Sequence, residues 1–387
     1  MEIIEVKNKR DWSLFHQVLN TVYQQVPNYI YPLHKQVEET FDPAINQVAG
    51  EGISKCFVLL DEQQRPSGRI AAFIDPGKNT QQDRPKVGGI GFFECTDHPA
   101  NARALFERAF AYLQQHQIAI VEGPINFGER DRYWGLLVKG FDPPLYQENY
   151  HLPYYQQFFL DAGFQPFEQI LTFKGQSADI PFERLKTIAD RLKLRYPVEV
   201  RPLDFKKTDE FAAGFAAVYN ASFEKFDHFK PIQPNQIKKF IDQAKIIVDP
   251  QLACIAYYDG VPAGFIALYP DINPFLKKAK GKLSWFQLPL FLWRNRFAKQ
   301  KNAKGMGFGI HPAYQSKGIF ALLVDYLCTP RNLQLYPWMY LAQIRTHNHE
   351  IRSIYAKLGV QIDRVHVTYR KPLEEGILIE PFEFIKV

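Results

Sequence analysis

Residues 309–320 carry the clearest chemical pattern in the chain: an apolar strand, a short polar turn and the start of a helix. Apolar residues recur at helical spacing from Ile319 to Leu327, which predicts an apolar helix face. A helix start presents free backbone N–H groups and a positive dipole end, which together favour a phosphate or pyrophosphate. Gly318 would let the backbone approach such a ligand without a Cβ. The same residues could equally form an ordinary strand, turn and helix in which the glycine only relieves strain.

A second pattern lies about 30 residues further on, where Asn348, Tyr355 and Gly359 are spaced along a predicted helix. A tyrosine hydroxyl, with an ordinary pKa of about 10, can protonate a departing thiolate whose pKa is about 8.5. The alternative is structural. Tyr355 would then be a core residue on the helix face that also carries Ile351 and Leu358, and Asn348 would be an N-cap.

Both patterns, in this order, resemble the motifs of the GCN5-related N-acetyltransferases, the GNAT superfamily. Gln315, Gly318 and Phe320 occupy the positions of its coenzyme motif, and Phe320 departs from the usual Gly or Ala. The resemblance implies that acetyl-CoA or another acyl-CoA is the cofactor and that Tyr355 is the acid for its sulfur. The residues expected to hold the coenzyme are Ile310, Gln315, Ser316, Lys317, Gly318, Ile319, Phe320 and Asn348.

A general base is harder to find, although an amine acceptor must lose a proton during attack. The strand 305–310 contains no carboxylate. Asp227 and His228 follow the first helix of this half, where acceptors often bind in the superfamily, and they are the candidates. Side chains on such loops are more often simply solvated. His347 and His349 flank Asn348, but no third ligand is nearby, so no metal site is predicted.

The chain repeats itself at an offset of 196 residues. The hexapeptide at 66–71 returns at 262–267, and the segment 162–165 returns at 358–361. A second match, 89–92 with 305–308, has an offset of 216 and locates an insertion in the second copy. This period is far longer than a solenoid unit and indicates a duplicated domain. Strands and helices alternate late in each copy after an earlier hairpin, which predicts a mixed α/β fold, and the resemblance implies two GNAT-like domains in tandem.

The two copies are not expected to be equivalent. Tyr355 corresponds to Phe159, which has no hydroxyl, and Asn348 corresponds to Leu152. The turn that should match the coenzyme motif, residues 99–104, has no Gln or Arg followed three residues later by Gly. We therefore expect a degenerate domain at 1–175, a linker helix at 176–197 and a domain with the coenzyme motif at 198–387. The first copy would be structural, or its long loop around 126–134 would shape the acceptor site.

The insertion at 277–304 is basic and aromatic, with nine Lys or Arg and no Asp or Glu. It could wall an apolar pocket of its own domain, lie on an anionic membrane surface, or contact a nucleic acid or a protein. Pro289 interrupts a continuous helix, which counts against a simple membrane-surface helix. The net charge of +6 is concentrated here, so nucleic acid is an unlikely partner.

Composition fits a soluble globular chain, with 46% hydrophobic and 23% charged residues. No apolar signal region opens the sequence and the four cysteines are scattered, so we expect a reduced, cytoplasmic protein. The expected function is acyl transfer from acetyl-CoA or another acyl-CoA to the amine of a small molecule or peptide. The alternatives are a non-catalytic protein that senses a coenzyme or lipid, and a long-chain acyl or aminoacyl transferase.

Overall fold

The structure is a computed structural model of the chain that describes residues 1–81, 83–225, 231–285 and 287–387. The strands of the first half are β1 (Glu2–Glu5), β2 (Ile53–Leu60), β3 (Pro66–Ile74), β4 (Val87–Cys95), β5 (Ile120–Gly123), β6 (Leu136–Lys139) and β7 (Gln165–Gln176). Its helices are α1 (Lys9–Tyr23), α2 (His34–Glu39), α3 (Gln47–Glu51), α4 (Pro99–Gln115) and α5 (Tyr155–Asp161).

A connecting helix, α6 (Phe182–Arg195), leads to the second half. The strands there are β8 (Val198–Pro202), β9 (Ala253–Tyr258), β10 (Val261–Pro270), β11 (Asn302–Ile310), β12 (Trp338–Arg345) and β13 (Gln361–Pro372). The helices are α7 (Thr208–Phe223), α8 (Pro234–Ala244), α9 (Asn273–Leu276), α10 (Leu288–Phe297), α11 (Ile319–Leu327), α12 (Pro330–Leu335) and α13 (His349–Lys357). The mixed α/β prediction is confirmed.

Helix starts follow the local sequence. Asn8 caps α1 by accepting hydrogen bonds from the N–H groups of Arg10 and Asp11. Phe15 and Leu19, four residues apart on one face of α1, are fully buried. Helix α11 differs, because its N-cap is Gly318 and no side chain caps it. Its first N–H groups are therefore left for another acceptor.

All strands except β6 follow one path through a single sheet, in the order β1-β2-β3-β4-β5-β13-β7-β12-β11-β10-β9-β8, and β6 pairs with β13. The last strand of each half lies next to strands of the other half: β13 pairs with β5, and β7 pairs with β12. The two exchanged strands are 196 residues apart and pair with each other. Ile170 faces His366, its own counterpart at that offset, so an approximate two-fold axis passes between them.

The exchange also joins the hydrophobic cores. One cluster combines Phe93 and Phe159 of the first half with Tyr355 and Tyr369 of the second. Smaller clusters lie under α7 and α8 and between α6 and α11. The sheet and the largest core thus extend across both halves, because β13 completes the first half and β7 completes the second. The boundaries 1–175, 176–197 and 198–387 remain a prediction.

Candidate functional site

The turn predicted to bind a pyrophosphate connects β11 to α11. Ser316 and Gly318 both have positive φ angles, 65° and 79°, which fold the chain back just before the helix. Gln315, Ser316 and Lys317 are exposed. The Lys317 ammonium lies 4.8 Å from the Tyr258 ring centre, so the turn has a cation beside it. The turn is thus an exposed, positively charged helix start of the kind that binds anions.

Beside this turn, β11 has an open edge. It pairs with the parallel strand β12 only over Asn302–Lys304, and beyond that point the two strands diverge. Gly307 lies in the divergent part and is exposed, and a Cβ built on it would meet nothing within 4 Å. The neighbouring Met306 is 42% exposed. The edge of β11 that faces β12 is therefore unpaired beyond Lys304 and leads toward the turn, and we call the space along this edge the β11 groove.

The first half has the same divergence, but it is filled. β4 pairs with β5 only over Val87–Gly89. Gly91, the counterpart of Gly307 at the 216-residue offset, is buried, and a Cβ on it would lie 2.0 Å from the carbonyl oxygen of Ile125. That close approach requires glycine here and leaves no room for a ligand chain.

The end of β4 is blocked as well. The hydroxyl of Tyr155 accepts a hydrogen bond from the N–H of Cys95 at 2.9 Å, and the hydroxyl of Tyr154 donates one to the Cys95 carbonyl at 2.8 Å. Only residues 96–98 separate β4 from α4, whereas residues 311–318 separate β11 from α11. The first half therefore has neither the groove nor the turn.

Tyr355 lies on α13 and is 7% exposed. Its ring packs edge-on against Phe173 at 5.2 Å, in the cluster against which Phe308 of β11 and Phe320 of α11 also pack. Burial raises the pKa of the Tyr355 hydroxyl, which keeps it protonated. In the described part of the chain no hydrogen bond involves this hydroxyl, so it remains available as a donor.

Some of the other predicted site residues have structural roles, and two lie outside the described residues. Asn348 caps α13 by accepting from the N–H of Ile351 at 3.1 Å, which is the structural role considered for it. Ile310 ends β11, and Ile319 is buried under α6. Asp227 and His228 lie outside the described residues.

Gly318 has a structural reason to be glycine in addition to any role in binding. Its φ angle is positive, and a Cβ on it would lie 2.7 Å from the Leu192 side chain of α6. The packing of α6 on α11 thus constrains the same residue that the coenzyme motif uses.

Sequence reasoning missed a buried polar cluster in the first half. Arg69 on β3 and Glu94 on β4 are 1% and 7% exposed, and their side chains approach to 3.8 Å. Each is a charged residue within an otherwise apolar strand, and that contrast was the available signal.

The basic insertion is partly packed and partly exposed. Phe291 of α10 is buried with Ile30 and Tyr146 of the first half. On the opposite side of α10, Leu290, Trp293 and Phe297 are 49%, 59% and 66% exposed. Trp285, just before the helix, is 85% exposed.

Among the residues that the structure describes, no helix has the length and apolar character needed to span a bilayer. Over the same residues, no cluster of His, Cys, Asp and Glu side chains is arranged to hold a metal ion.

Comparison with known families agrees with this geometry. Residues 215–360 match the model of the acetyltransferase (GNAT) family. The matched range contains the open groove, the turn and Tyr355. A bacterial ceramide synthase from Caulobacter vibrioides (strain NA1000 / CB15N) is 25% identical over 320 residues, which is 82% of this chain and 82% of that protein.

Solved structures show the same fold across both halves. A tandem GNAT protein from the clavulanic acid biosynthesis pathway aligns with a TM-score of 0.53 at 12% identity, over 97% of this chain and 99% of its own. The GCN5-related glucosamine N-acetyltransferase region of a fungal multi-domain GH3 beta-N-acetylglucosaminidase aligns with a TM-score of 0.54 at 13% identity. That match covers 96% of this chain but only 38% of the fungal protein.

These comparisons support an N-acyltransferase enzyme. Residues 215–360 match the GNAT acetyltransferase family model, and the chain as a whole has the fold of tandem GNAT proteins.

Proposed function

We propose that the protein transfers an acyl group from an acyl-CoA, held in the groove beside β11, to a primary amine. The observation that carries this proposal is the contrast between Gly307 and Gly91. The same position is open in the half with the coenzyme motif and closed in the half without it. Acyl-CoA would supply a thioester, whose acyl carbon is activated for attack by an amine nitrogen.

The chain's own residues have separate tasks in this proposal. N–H groups at the start of α11 and the Lys317 ammonium hold the phosphates. The Tyr355 hydroxyl gives its proton to the coenzyme sulfur as the C–S bond breaks and the C–N bond forms. The proton lost by the amine goes to a base that the described residues of the second half do not identify.

The direct test places a side chain in the groove. Gly307 has a φ angle of 158°, which L side chains rarely adopt, so circular dichroism must first show that Gly307→Leu is folded. We expect it to lower acetyl-CoA affinity at least about tenfold by calorimetry, which is the loss of about 1.4 kcal/mol of binding free energy. Met306→Leu, a change at the next residue that adds no bulk, is the matched control. Unchanged binding by Gly307→Leu would place the coenzyme elsewhere.

Turnover separates an enzyme from a coenzyme sensor. Release of free thiol that depends on an added amine, measured with acetyl-CoA and with a long-chain acyl-CoA, supports transfer and also ranks the two donors. Tight coenzyme binding without thiol release for any amine would instead favour the non-catalytic alternative.

A lipid acceptor is the second candidate, and a specific surface favours it. A ceramide is a long-chain amino alcohol with an N-acyl group, so the ceramide synthase relative joins an acyl chain to a lipid amine. Here Leu290, Trp293 and Phe297 form an exposed apolar stripe on α10. The sequence on either side of this stripe carries exposed cations, none of which forms an ion pair with a described residue: Lys277, Lys278, Lys280, Lys282, Arg296 and Lys299. Aromatic and cationic side chains together suit an anionic lipid surface.

Sedimentation with vesicles tests this surface. We expect the protein to bind vesicles of phosphatidylcholine with phosphatidylglycerol more tightly than pure phosphatidylcholine. The triple variant Leu290→Ser, Trp293→Ser, Phe297→Ser should lose most of that binding. Leu194→Ser with Leu378→Ser removes comparably exposed apolar side chains elsewhere, 86% and 87% exposed, and should bind as the wild type does. Equal losses in both variants would exclude a specific role for α10.

A further inference from the structure

A small cavity in the first half lies beside Glu94, near the end of β4. Its volume is about 30 Å3, which is room for about two water-sized groups. The segments 29–33 and 146–151 and the side chain of Arg69 line it, together with Asn273 and Leu276 of the second half. We call it the Glu94 cavity.

Among the described residues, one oxygen of the Glu94 carboxylate accepts no hydrogen bond. Oε2 accepts hydrogen bonds from the hydroxyls of Tyr23 and, at 3.0 Å, Tyr155. Oε1 forms an ion pair with the Arg69 guanidinium nitrogen Nη2 at 3.8 Å, which is too long for a hydrogen bond. A buried carboxylate normally has its hydrogen-bonding capacity filled, so Oε1 is available to a ligand.

The Arg69 guanidinium also has unused hydrogen-bonding capacity. Its Nη1 donates to the Phe15 carbonyl at 3.3 Å, but its Nε is buried and has no hydrogen-bond partner among the described residues. A buried guanidinium with an unused donor costs free energy. The cavity thus offers an acceptor and a donor side by side, which suits a ligand that carries both a donor and an acceptor.

The charge state of Glu94 suits a cationic ligand. Burial raises its pKa to about 7, although Arg69 and the hydroxyls of Tyr23 and Tyr155 act in the opposite direction. A ligand ammonium would replace the solvation that the carboxylate has lost. The titratable and charged groups around Glu94 and its cavity include Arg69 on β3, Tyr23 on α1, the next residue Cys95, and Tyr154 and Tyr155 at the start of α5. The loops that line the cavity add Tyr29, Tyr31, Tyr133, Tyr146, Glu148 and His151.

We propose that the Glu94 cavity binds the two polar groups of a primary amine with a neighbouring hydroxyl, the ammonium on Glu94 Oε1 and the hydroxyl oxygen on Arg69, while the carbon chain of the ligand stays outside the cavity. The inference rests on the proposed function for the choice of an amine. It adds that the half without a coenzyme groove recognises the amine, which gives this degenerate half a task of its own.

Calorimetry with the full chain and 2-aminododecane-1,3-diol, in the absence of any acyl-CoA, tests the site. We expect Glu94→Gln, which keeps an acceptor for the two tyrosines, to weaken binding at least about tenfold. Glu168→Gln is the matched control, because Glu168 is a buried, ion-paired carboxylate on β7 that does not line the cavity. Dodecane-1,3-diol, which lacks the amine, should bind the wild type at least about tenfold more weakly than the amine does.

The pH profile provides a second readout. The ligand stays protonated below its own pKa while Glu94 ionises through about pH 7. Wild-type affinity should therefore rise about tenfold from pH 6 to pH 8, and Glu94→Gln should show no such rise. If Glu94→Gln fails to fold, the wild-type profile and the diol comparison decide. Equal affinity in wild type and Glu94→Gln, or a flat wild-type profile, would overturn the proposal.

The coenzyme measurement keeps the two proposals apart. Amine binding that depends on Glu94, found together with no acyl-CoA binding at the β11 groove, would leave this site and remove the proposed function. Acyl-CoA binding at the β11 groove, together with amine turnover that Glu94→Gln does not change, would instead leave the proposed function and remove this site.

Discussion

At the scale of single residues, the second half has a candidate acid at a position where the first half has none. Tyr355 and Phe159 occupy corresponding positions in one shared cluster, but only Tyr355 has a hydroxyl. The sequence repeat predicted this difference. It did not predict that Tyr154 and Tyr155 would hydrogen-bond to the backbone of Cys95, because the two tyrosines are about 60 residues away from it in the sequence. The offset comparison also places no tyrosine at the matching positions of the second half.

Replacing Tyr355 by Phe tests its role as the acid. The change removes one oxygen atom and leaves the ring packed on Phe173, so folding and coenzyme affinity should be unchanged. We expect kcat to fall about 10²-fold or more, since positioned acids contribute about that much. Phe173→Leu, which alters the same packing but keeps the hydroxyl, is the control. A Tyr355→Phe enzyme with wild-type kcat would show that the thiolate leaves without this proton.

At the scale of elements, the sequence predicted where helices and strands lie along the chain, but it did not predict which elements pack against each other. Strand and helix signals located β11, α11 and α13 within a few residues of their observed bounds. The packing of α6 against α11 had no signal, because the apolar face of an isolated helix does not specify which surface covers it. The packing of α6 on α11 gives a second reason why residue 318 is a glycine, in addition to coenzyme binding.

A double-mutant cycle separates the two reasons for Gly318. Alanine at this positive φ angle should cost about 1–2 kcal/mol from backbone strain. The contact with Leu192, 2.7 Å from the new Cβ, should add to that cost. We therefore expect Gly318→Ala to destabilise the coenzyme-free protein less in a Leu192→Ala background than in the wild type, measured as the free energy of unfolding in urea. Equal costs in both backgrounds would mean that α6 does not constrain the turn.

At the scale of the whole molecule, the exchange of β7 and β13 makes the two halves one structure. Sequence comparison found the duplication and could not find the exchange. The two strands have equal lengths and equivalent positions, so either could complete either half by pattern alone.

The joined sheet predicts joint unfolding. Val365 of β13 is 1% exposed and pairs with Leu171 of the first half. Val365→Ala should cost about 2 kcal/mol by leaving a small cavity. Calorimetry should show a single transition that moves as a whole to lower temperature, and hydrogen exchange should speed up in β5 as well as in β12. Two separate transitions, with only one displaced, would show that the halves unfold independently despite the exchange.

The strand exchange also has a consequence for synthesis on the ribosome. β5 is complete at residue 123, but its partner β13 begins only at residue 361. At roughly 5–20 residues per second, the edge of β5 waits on the order of 10–50 s for its neighbour. The N-terminal half thus leaves the ribosome before it can close its own sheet. The order in which the chain is made, as much as its final contacts, then determines when an unpaired edge is exposed to other chains.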